Sequence, residues 1–587
     1  MVEGILVAAA ILAGAWALGR RLYAPWRGAW EAPLLAGVCA TALGMGALAL
    51  LTLGLGLAGW FGPSLFRTGL LAGALLAAWD LYRDRKALAS WATGLKLDGL
   101  ALAQAAGATC LLLPLAAGLL APPSDYDALE YHLGAPAAYL RQGRISFLED
   151  NIYASFPENQ EMLYLAGLAA TGTHAGGAAA AKALNLACWA LAALALLGLG
   201  RRHASPRAGG WAALALLASP WVLLTGGWLV YNEPALALFS LLAAALAWEG
   251  QASLAGLMAG LAFGVKYPAA LFLLLPLALG LAFRSPRKAL VFTALALAAA
   301  SPWLLKNLAA TGNPVYPLLE GHTAWDAAHA PGPRDWEHLA ASLDGLGSGM
   351  LLCPALLVFL PFGWFQPSRK VRAAALAWIL VGVALWFLFT HRVDRFCLPF
   401  LPAACFAVGV GVEAMACHAG GWLGRCVIGV VALVAAATGI LQAADGLGRR
   451  ADPWGADATY STAAIREVNR LPAGSRVLFV GEAETFYVRL DGAVRVVAPT
   501  VFDAKPFEAA EDLKAQGFTH VYLNWPELVR LQATYGDRKR GYSRLLTSHP
   551  GERPGPEDNF FDRLEAEGRA TRVWEDRRGR FRILALR

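Results

Sequence analysis

Acidic and aromatic side chains gather where a long apolar stretch of the chain ends, between residues 125 and 132. On a helix beginning near Asp125, Asp127 would share one face with Glu130, three residues on, and with Tyr131, four residues on. A carboxylate held on such a face can take the proton of an acceptor hydroxyl as general base. A helix cap at Asp125 or at the residue before it, with the acids facing the helix dipole, explains the same residues structurally. The local sequence supports both interpretations.

The elements that must position these residues are membrane helices. Of the 587 residues, 57% are hydrophobic and 16% charged, and the mean hydropathy is +0.48, which excludes a water-soluble protein of this length. Charged residues are roughly three times as frequent after residue 444 as before it. A soluble domain is therefore expected to follow a membrane body. The net charge of +7 is too diffuse for a nucleic-acid-binding face, and the eight cysteines, without a CxxC pair, favour neither a disulfide framework nor a zinc site.

Apolar runs of about 20 residues can cross a hydrocarbon core of roughly 30 Å, and their basic flanks predict which side each end faces. About fourteen spans fit the chain by this rule, with the soluble domain outside the cytoplasm. The apolar run 161–173 is short, and as a span it would place Arg201 and Arg202 outside. We predict that it is an amphipathic helix at the outer surface, followed by a true span at roughly 178–199. A split pair of half-length helices is predicted around residues 266–268.

Three basic residues break the positive-inside trend of this topology. Lys266, Arg392 and Arg395 face outside, whereas almost every other basic cluster faces the cytoplasm. Cations in such positions are candidates for binding an anion, with snorkelling at helix ends as the structural alternative. Glu233 begins a helix on the same side, where a cap would also explain it. Cations that suit a phosphate, next to carboxylates that suit a hydroxyl nucleophile, indicate transfer from a phosphate-linked lipid donor.

Short motifs carry this interpretation further, in the order Asp127–Tyr131, Phe156–Tyr164, Glu233, Gly264–Ala269, Ser301–Pro317 and Arg395–Pro399. In order and topology they resemble the GT-C superfamily of polyprenyl-phosphate-sugar-dependent glycosyltransferases. The resemblance is to the bacterial branch similar to protein O-mannosyltransferases and the lipid A aminoarabinose transferase. Asp127–Tyr131 resembles the Asp-Glu-x-x-Tyr motif of the first large periplasmic loop, with Ala128 in place of the second acid.

The resemblance implies a role for each matching residue. Asp127 would be the catalytic aspartate and Glu233 the acid of the second loop. The donor phosphate would be bound by four basic residues, namely Lys266, Arg395, Arg392 and Lys306. Five further residues would bind substrate, with Asp125 or Glu130 also able to replace the missing second acid: Asp125, Glu130, Tyr131, His132 and Tyr267.

The soluble domain shows an α/β pattern. Short β-rich runs at 476–480, 494–497 and 519–523 are separated by helical stretches such as 507–516. A closing β-hairpin is predicted within 571–585. This domain contains no G-x-G-x-x-G string, so a dinucleotide site is not predicted in it.

The predicted fold is thus a polytopic α-helical membrane protein of the GT-C type with a C-terminal extracytoplasmic α/β domain. Residues 1–96 would form accessory N-terminal membrane helices. Residues 97–444 would form the catalytic membrane domain, with periplasmic loops at 122–177 and 309–349. Residues 445–587 would form the soluble periplasmic domain.

The expected activity is transfer of a sugar from a polyprenyl-phosphate donor to a hydroxyl of a lipid, glycan or protein acceptor. It would occur at the periplasmic face of a bacterial inner membrane, by inverting single displacement with Asp127 as base. No cofactor is required, although the string from Asp125 to Asp127 leaves a divalent cation, Mg or Mn, as an alternative. A transporter or flippase of a lipid-linked sugar could use the same cations, but it would be expected to place ionisable residues at mid-membrane.

Overall fold

A computed structural model describes residues 1–26, 28, 33–93, 98–319, 325, 329–347, 351–365, 369–418, short stretches between 422 and 441, 462–500, 510–535 and 559–587. The predicted domain boundary at 445 and the start of the predicted helix 507–516 lie outside the described residues.

The part of the chain before the C-terminal domain is helical. Its helices are α1 (Val2–Leu22), α2 (Pro33–Leu57), α3 (Pro63–Thr93), α4 (Gly99–Leu119), α5 (Gly134–Gln142), α6 (Asn159–Thr171), α7 (His174–His203), α8 (Pro206–Leu217), α9 (Pro220–Leu223), α10 (Glu233–Trp248), α11 (Ala252–Phe263), α12 (Leu275–Arg284), α13 (Pro286–Thr311), α14 (Trp336–Gly347), α15 (Arg369–Phe389) and α16 (Leu401–His418). Three π-helical turns interrupt them, at Ala128–His132, Leu224–Trp228 and Ala270–Leu274.

Within the described ranges, eight helices are long and apolar enough to cross a membrane: α1 to α4, α7, α13, α15, and α16 together with the turn before it. A ninth span results if α8 and Pro220–Trp228, which meet at a bend of 69°, count as one. Three shorter apolar helices follow, at Glu233–Trp248, Ala252–Phe263 and Ala270–Arg284. The chain is therefore a multi-pass membrane protein, whereas the predicted number of fourteen spans is not confirmed.

The apolar helices break at prolines. Ser219 is extended (φ −67°, ψ 130°) immediately before Pro220, as expected because a proline disfavours helical backbone in the residue that precedes it. The helical run of α11 ends at Phe263, and Lys266 and Pro268 lie in the gap before the π-helical turn at 270. The predicted split pair around residues 266–268 is therefore confirmed.

Helix α6 has the predicted length but not the predicted environment. It is 13 residues long and is not among the candidate spans. All of its residues are buried, so the prediction of an amphipathic surface helix is wrong. Packing against α2 and α7, together with buried polar contacts of its first turn, takes up the faces that an isolated surface helix would show to water.

The C-terminal domain contains one five-stranded sheet in the order β2-β1-β3-β5-β4, with β1 parallel to β2 and β3, and β5 antiparallel to β3 and β4. The strands are β1 (Arg476–Val480), β2 (Arg495–Val497), β3 (His520–Asn524), β4 (Ala570–Glu575) and β5 (Phe581–Leu586). The helices are α17 (Thr462–Val468), α18 (Ala510–Ala515), α19 (Trp525–Tyr535) and α20 (Phe560–Ala566). The predicted α/β pattern and closing hairpin are confirmed.

The two faces of this sheet have different partners. On one face, Leu478 and Val521 pack against the domain's own helices. On the other, Val477 and Tyr522 join the hydrophobic core that extends through the membrane body. The domain is therefore packed onto the body rather than tethered to it.

The segment after β1 docks on the first loop of the membrane body. The Tyr487 hydroxyl donates to the Pro123 carbonyl at 2.7 Å, and the Phe486 N–H donates to the Leu129 carbonyl at 3.1 Å. The C-terminal domain therefore contacts the turn that carries Asp127, a contact that the sequence analysis did not predict.

Candidate functional site

Four charged residues from distant parts of the chain meet in one row. A guanidinium nitrogen of Arg395 lies 2.5 Å from Asp127 Oδ2, and its Nε lies 3.6 Å from Glu233 Oε1. Lys266 Nζ lies 2.7 Å from the same Glu233 oxygen. We name Asp127, Arg395, Glu233 and Lys266 the charge chain. Its members were all predicted as site residues, and the structure brings them together.

Each member of the charge chain lies where regular helix begins or breaks. Glu233 is the first residue of α10, where the helix dipole stabilises a carboxylate. Lys266 lies in the gap between α11 and α12. Arg395 lies in a 3₁₀ turn, Asp394–Phe400, that leads into α16. The side chain of Asp394 fixes this turn, because it accepts the Arg395 N–H at 2.7 Å and the Trp221 indole N–H at 3.1 Å.

Exposure is highest at the Asp127 end of the charge chain and lowest at Glu233. The side chain of Asp127 is 26% exposed, Arg395 17%, Lys266 11% and Glu233 1%. A reactant can therefore reach the Asp127 end first. Removing an ion pair from water strengthens its interactions, so the inner members act in a less screened environment.

Aromatic rings surround these charges. The guanidinium of Arg395 lies 4.6 Å from the ring centre of Tyr231, and Lys266 Nζ lies 5.1 Å from that of Phe396, distances suited to cation–π attraction. The Tyr131 hydroxyl donates to Asp127 Oδ2 at 3.4 Å, and its ring stacks on Tyr153 with centroids 5.1 Å apart. Together these rings provide a flat, apolar wall beside the charged groups.

Glu130 does not share a face with Asp127 and Tyr131, so that prediction is wrong. The turn is π-helical, with more residues per turn than the α-helix that was assumed. Glu130 is buried. Burial is the main cause that raises the pKa of Tyr126 and that of Glu484, which belongs to the C-terminal domain, and the charge of Glu130 adds to both increases.

Asp125 serves as a cap. Its Oδ1 accepts the Ala128 N–H at 3.1 Å, which is the structural interpretation of this acid. Burial raises the pKa of Asp125 to about 6, and the neighbouring charge of Asp127 adds to the increase.

The Asp125 carboxyl should make stability depend on pH. A folded-state pKa above the unfolded value favours the protonated form, so the stability is greatest at low pH and is lost as pH rises through about 6. We expect Asp125→Asn, which keeps the capping oxygen, to have the same Tm as the wild type at about pH 3.5, below the ordinary aspartate pKa of about 3.9, and a higher Tm at pH 8. Thermal unfolding of the detergent-solubilised protein at both pH values measures this. An equal difference at both values would contradict the assignment.

His132 belongs to a buried layer behind the charge chain. Its Nδ1 lies 2.6 Å from Glu161 Oε1, which also accepts from Asn232 Nδ2 at 2.9 Å. The same Asn232 nitrogen donates to the Val265 carbonyl at 3.1 Å. Burial lowers the pKa of His132 and raises that of Glu161, so both favour their neutral forms.

This layer holds residues adjacent in sequence to Glu233 and Lys266, and therefore positions the charge chain. The sequence analysis missed Glu161 and Asn232. Both are polar residues next to apolar runs. Glu161 lies inside the motif Phe156–Tyr164, and Asn232 directly precedes Glu233, so their positions in the sequence could have identified them.

Lys306 and Tyr267, both predicted site residues, lie apart from the charge chain. Lys306 Nζ donates to the Ala154 carbonyl at 2.9 Å and lies 3.7 Å from Glu158. The Tyr267 hydroxyl donates to the Tyr316 carbonyl at 3.1 Å and accepts from Asn307 at 2.9 Å. Both side chains hold loop segments in place.

Arg392 also has other partners. Its guanidinium donates to the Gly332 carbonyl at 2.9 Å, to the Pro333 carbonyl, and through Nε to the Phe387 carbonyl at 3.2 Å. Its backbone is left-handed (φ 63°), which aims the side chain at these carbonyls rather than at the charge chain.

Among the residues that the structure describes, no group of three or more His, Cys, Asp and Glu side chains is arranged to hold a metal ion. Asp125 and Asp127, the acids of the D-x-D string, have separate partners, a backbone N–H and a guanidinium.

The fold is similar to that of other proteins with solved structures. ArnT from Cupriavidus metallidurans bound to undecaprenyl phosphate matches with a TM-score of 0.55 at 14% identity, over 82% of this chain and 97% of that chain. The apo state of that protein matches with a TM-score of 0.54 at 13% identity, over 81% and 96%. The oligosaccharyltransferase AglB from Archaeoglobus fulgidus, in complex with an inhibitory peptide and a dolichol-phosphate, has a TM-score of 0.43 at 12% identity, over 81% and 74%. No protein-family model and no curated protein matches the chain. The likeness to ArnT shows a shared fold, which agrees with the predicted GT-C type.

Proposed function

We propose that this protein is a membrane glycosyltransferase that moves a sugar from a polyprenyl-phosphate donor to an acceptor hydroxyl. The observation that carries the proposal is the charge chain, in which two cations suited to a phosphate adjoin one accessible carboxylate. The similarity to ArnT, a protein whose structure holds undecaprenyl phosphate, supports the choice of donor.

The donor phosphate would enter by exchanging partners with Glu233. In the structure this carboxylate holds Lys266 directly and lies near Arg395. A phosphate oxygen bridging the two cations would replace part of those contacts, and the cations would then stabilise the negative charge that grows on the leaving phosphate. Glu233 would keep the two cations in place between turnovers.

Asp127 would act as the base. It is the most exposed member of the charge chain, and its Oδ2 is oriented by Arg395 and Tyr131. The acceptor hydroxyl would bind the carboxylate, lose its proton to it and attack the anomeric carbon opposite the phosphate, with inversion. One base suffices, because a phosphate stabilised by two cations leaves without an acid.

The reaction would take place outside the cytoplasm, at the inner membrane of a bacterium. The basic flanks of the spans support this side for the charge chain, for the loops 122–177 and 309–349, and for the domain 445–587. Residues 97–444 would form the catalytic body, to which 1–96 adds helices. The acceptor would be a lipid, a glycan or a protein.

The cations of the charge chain supply the charge that a metal ion could otherwise bring, so we propose that the transfer requires no cofactor. Mg or Mn remains the alternative, and activity that falls in EDTA and returns with either ion would favour it.

The function is tested by incubating the purified full-length protein with a polyprenyl-phosphate sugar and an envelope extract as acceptor. We expect release of free polyprenyl phosphate together with sugar attached to an acceptor. A transporter or flippase would move the donor across the bilayer of reconstituted vesicles without releasing polyprenyl phosphate. Donor that stays intact under every acceptor condition, in protein that is folded, would contradict the proposal.

Lys266→Gln should weaken donor binding. The amide keeps a hydrogen bond to Glu233 but removes the charge that would face the phosphate. A hydrogen bond to a charged group contributes about 1.5–3 kcal/mol, so KM for the donor should rise about 10- to 100-fold with a smaller change in kcat. Steady-state kinetics measure this, with Lys288→Gln, an exposed lysine at the start of α13, as the matched control. Unchanged KM and kcat would remove the phosphate role of Lys266.

A further inference from the structure

A cavity lies between the first loop of the membrane body and the C-terminal domain. Its volume is about 580 Å³, within the range typical of small-molecule sites. Five charged residues line it, three basic and two acidic: Arg141, Asp150, Arg476, Asp491 and Arg495.

Two of the arginines are forced together by the sheet. Arg476 of β1 and Arg495 of β2 are partners across the parallel ladder, where like charges destabilise each other. Arg476 donates to the Gln516 carbonyl at 2.6 Å and lies over the ring of Phe518. The guanidinium of Arg495 has no hydrogen-bond or ion-pair partner among the described residues, so it is available to a ligand.

The third arginine approaches from the membrane body. One guanidinium nitrogen of Arg141 donates long hydrogen bonds to the Thr485 and Val488 carbonyls, at 3.3 and 3.4 Å. Burial lowers the pKa of Arg141 to about 10, against the opposing effect of Asp150. This cation is therefore only partly compensated by its neighbours.

The two acids offset these cations incompletely. Asp491 is held by Arg489, with Nε 2.7 Å from Oδ1, and accepts the Ala493 N–H at 3.0 Å. That leaves Asp150, whose Oδ2 accepts the Ala498 N–H at 2.9 Å, as the remaining carboxylate of a lining that includes three arginines. The wall carries an excess of positive charge next to oxygen atoms that can accept hydroxyls.

We propose that this cavity binds a saccharide that carries a phosphate or a carboxylate, at a site separate from the charge chain. Guanidinium groups recognise phosphate and carboxylate through paired hydrogen bonds. The carboxylates of Asp150 and Asp491 and the amide of Gln142, which also lines the cavity, can bind the sugar hydroxyls.

A ligand here would join the C-terminal domain to the turn that carries Asp127. Gly134 and Thr485 both line the cavity, and the next residue, Phe486, is hydrogen-bonded to Leu129 of that turn. The proposal gives the C-terminal domain a binding role, and it does not depend on the proposed transfer.

The test is isothermal titration calorimetry on the full-length solubilised protein with glucuronate, glucose and inorganic phosphate as probes. We expect glucuronate to bind at least about 10-fold more tightly than either of the others, because it alone offers both a charge and several hydroxyls. Its affinity should fall as salt rises. If glucose bound as tightly as glucuronate, the cavity would not recognise the anionic group. If inorganic phosphate bound as tightly as glucuronate, the cavity would not recognise the sugar.

Arg495→Gln is the informative variant: Arg495 is exposed on the edge strand of the sheet, so we expect the variant to fold normally. We expect it to weaken glucuronate binding about 10-fold or more, whereas Arg470→Gln, which breaks an exposed pair with Glu467 away from the cavity, should bind as the wild type does. Wild-type affinity in Arg495→Gln would overturn the proposal. We expect Asp127→Asn to bind glucuronate as the wild type does, because Asp127 does not line the cavity. Glucuronate binding therefore tests the cavity independently of the proposed sugar transfer.

Discussion

Asp127→Asn should abolish sugar transfer, lowering kcat/KM by a factor of about 10²–10⁴, the contribution typical of a general base. Asparagine has the same shape and keeps an oxygen that can accept from Arg395 and Tyr131, so the protein should insert and fold normally. An amide cannot take the proton of the acceptor hydroxyl. The loss should therefore appear in kcat at saturating donor, with little change in donor KM.

The measurement is the release of polyprenyl phosphate, with thermal unfolding as the check on folding. The matched control is Asp98→Asn, the same substitution at the cap of α4, where Asp98 Oδ1 accepts the Ala101 N–H and asparagine caps equally well. Wild-type activity in Asp127→Asn would remove the proposed base.

Much of the fold could be predicted from the sequence, because its signals are local. Twenty apolar residues make a span wherever they lie, and short runs rich in β-branched and aromatic residues at 476–480 and 519–523 make strands. The break at Lys266 was predicted because Lys266 and Pro268 interrupt an apolar run and leave two half-length helices. The spans that remain unconfirmed are short or bent helices, in which composition alone does not distinguish a crossing from a buried segment.

The composition of the charge chain was also predicted, but its order was not. Positive-inside parity selected Lys266, Arg392 and Arg395 together, because the rule considers only charge and side. It could not distinguish Arg395, aimed at Asp127, from Arg392, whose left-handed backbone aims it at carbonyls of another loop. The π-helical turn was likewise invisible, since the i, i+3 and i, i+4 spacing assumes α-helical geometry.

The docking of the C-terminal domain is a contact between segments more than three hundred residues apart. Tyr487 and Pro123 carry no sequence signal for each other. The fold of the domain could be predicted because its strands are local sequence patterns. Its contact with the membrane body could not, because an apolar face of the sheet has the same sequence pattern whether it packs on a helix of the domain or on the membrane body.

Arg395→Gln should cause the second large loss, lowering kcat/KM about 10²–10³-fold and also lowering the Tm. Arg395 joins Asp127 to Glu233, and truncating one partner of a buried charge pair costs about 2–5 kcal/mol. Both the orientation of the base and one of the two contacts proposed for the phosphate disappear together. Both kcat and donor KM should therefore change, unlike in Asp127→Asn.

Arg392→Gln is the control for this variant. It removes a guanidinium only three residues earlier in the sequence, but the Arg392 side chain does not contact the charge chain. We expect it to retain activity within about 3-fold; equal losses in the two variants would mean that the region needs arginines for folding rather than for the reaction. Arg395→Lys then separates charge from shape. A lysine restores the cation but cannot direct separate nitrogens at Asp127 and Glu233, so we expect donor KM to recover further than kcat. If lysine restored both fully, Arg395 would act through its charge alone, and the orientation of Asp127 would have to come from Tyr131.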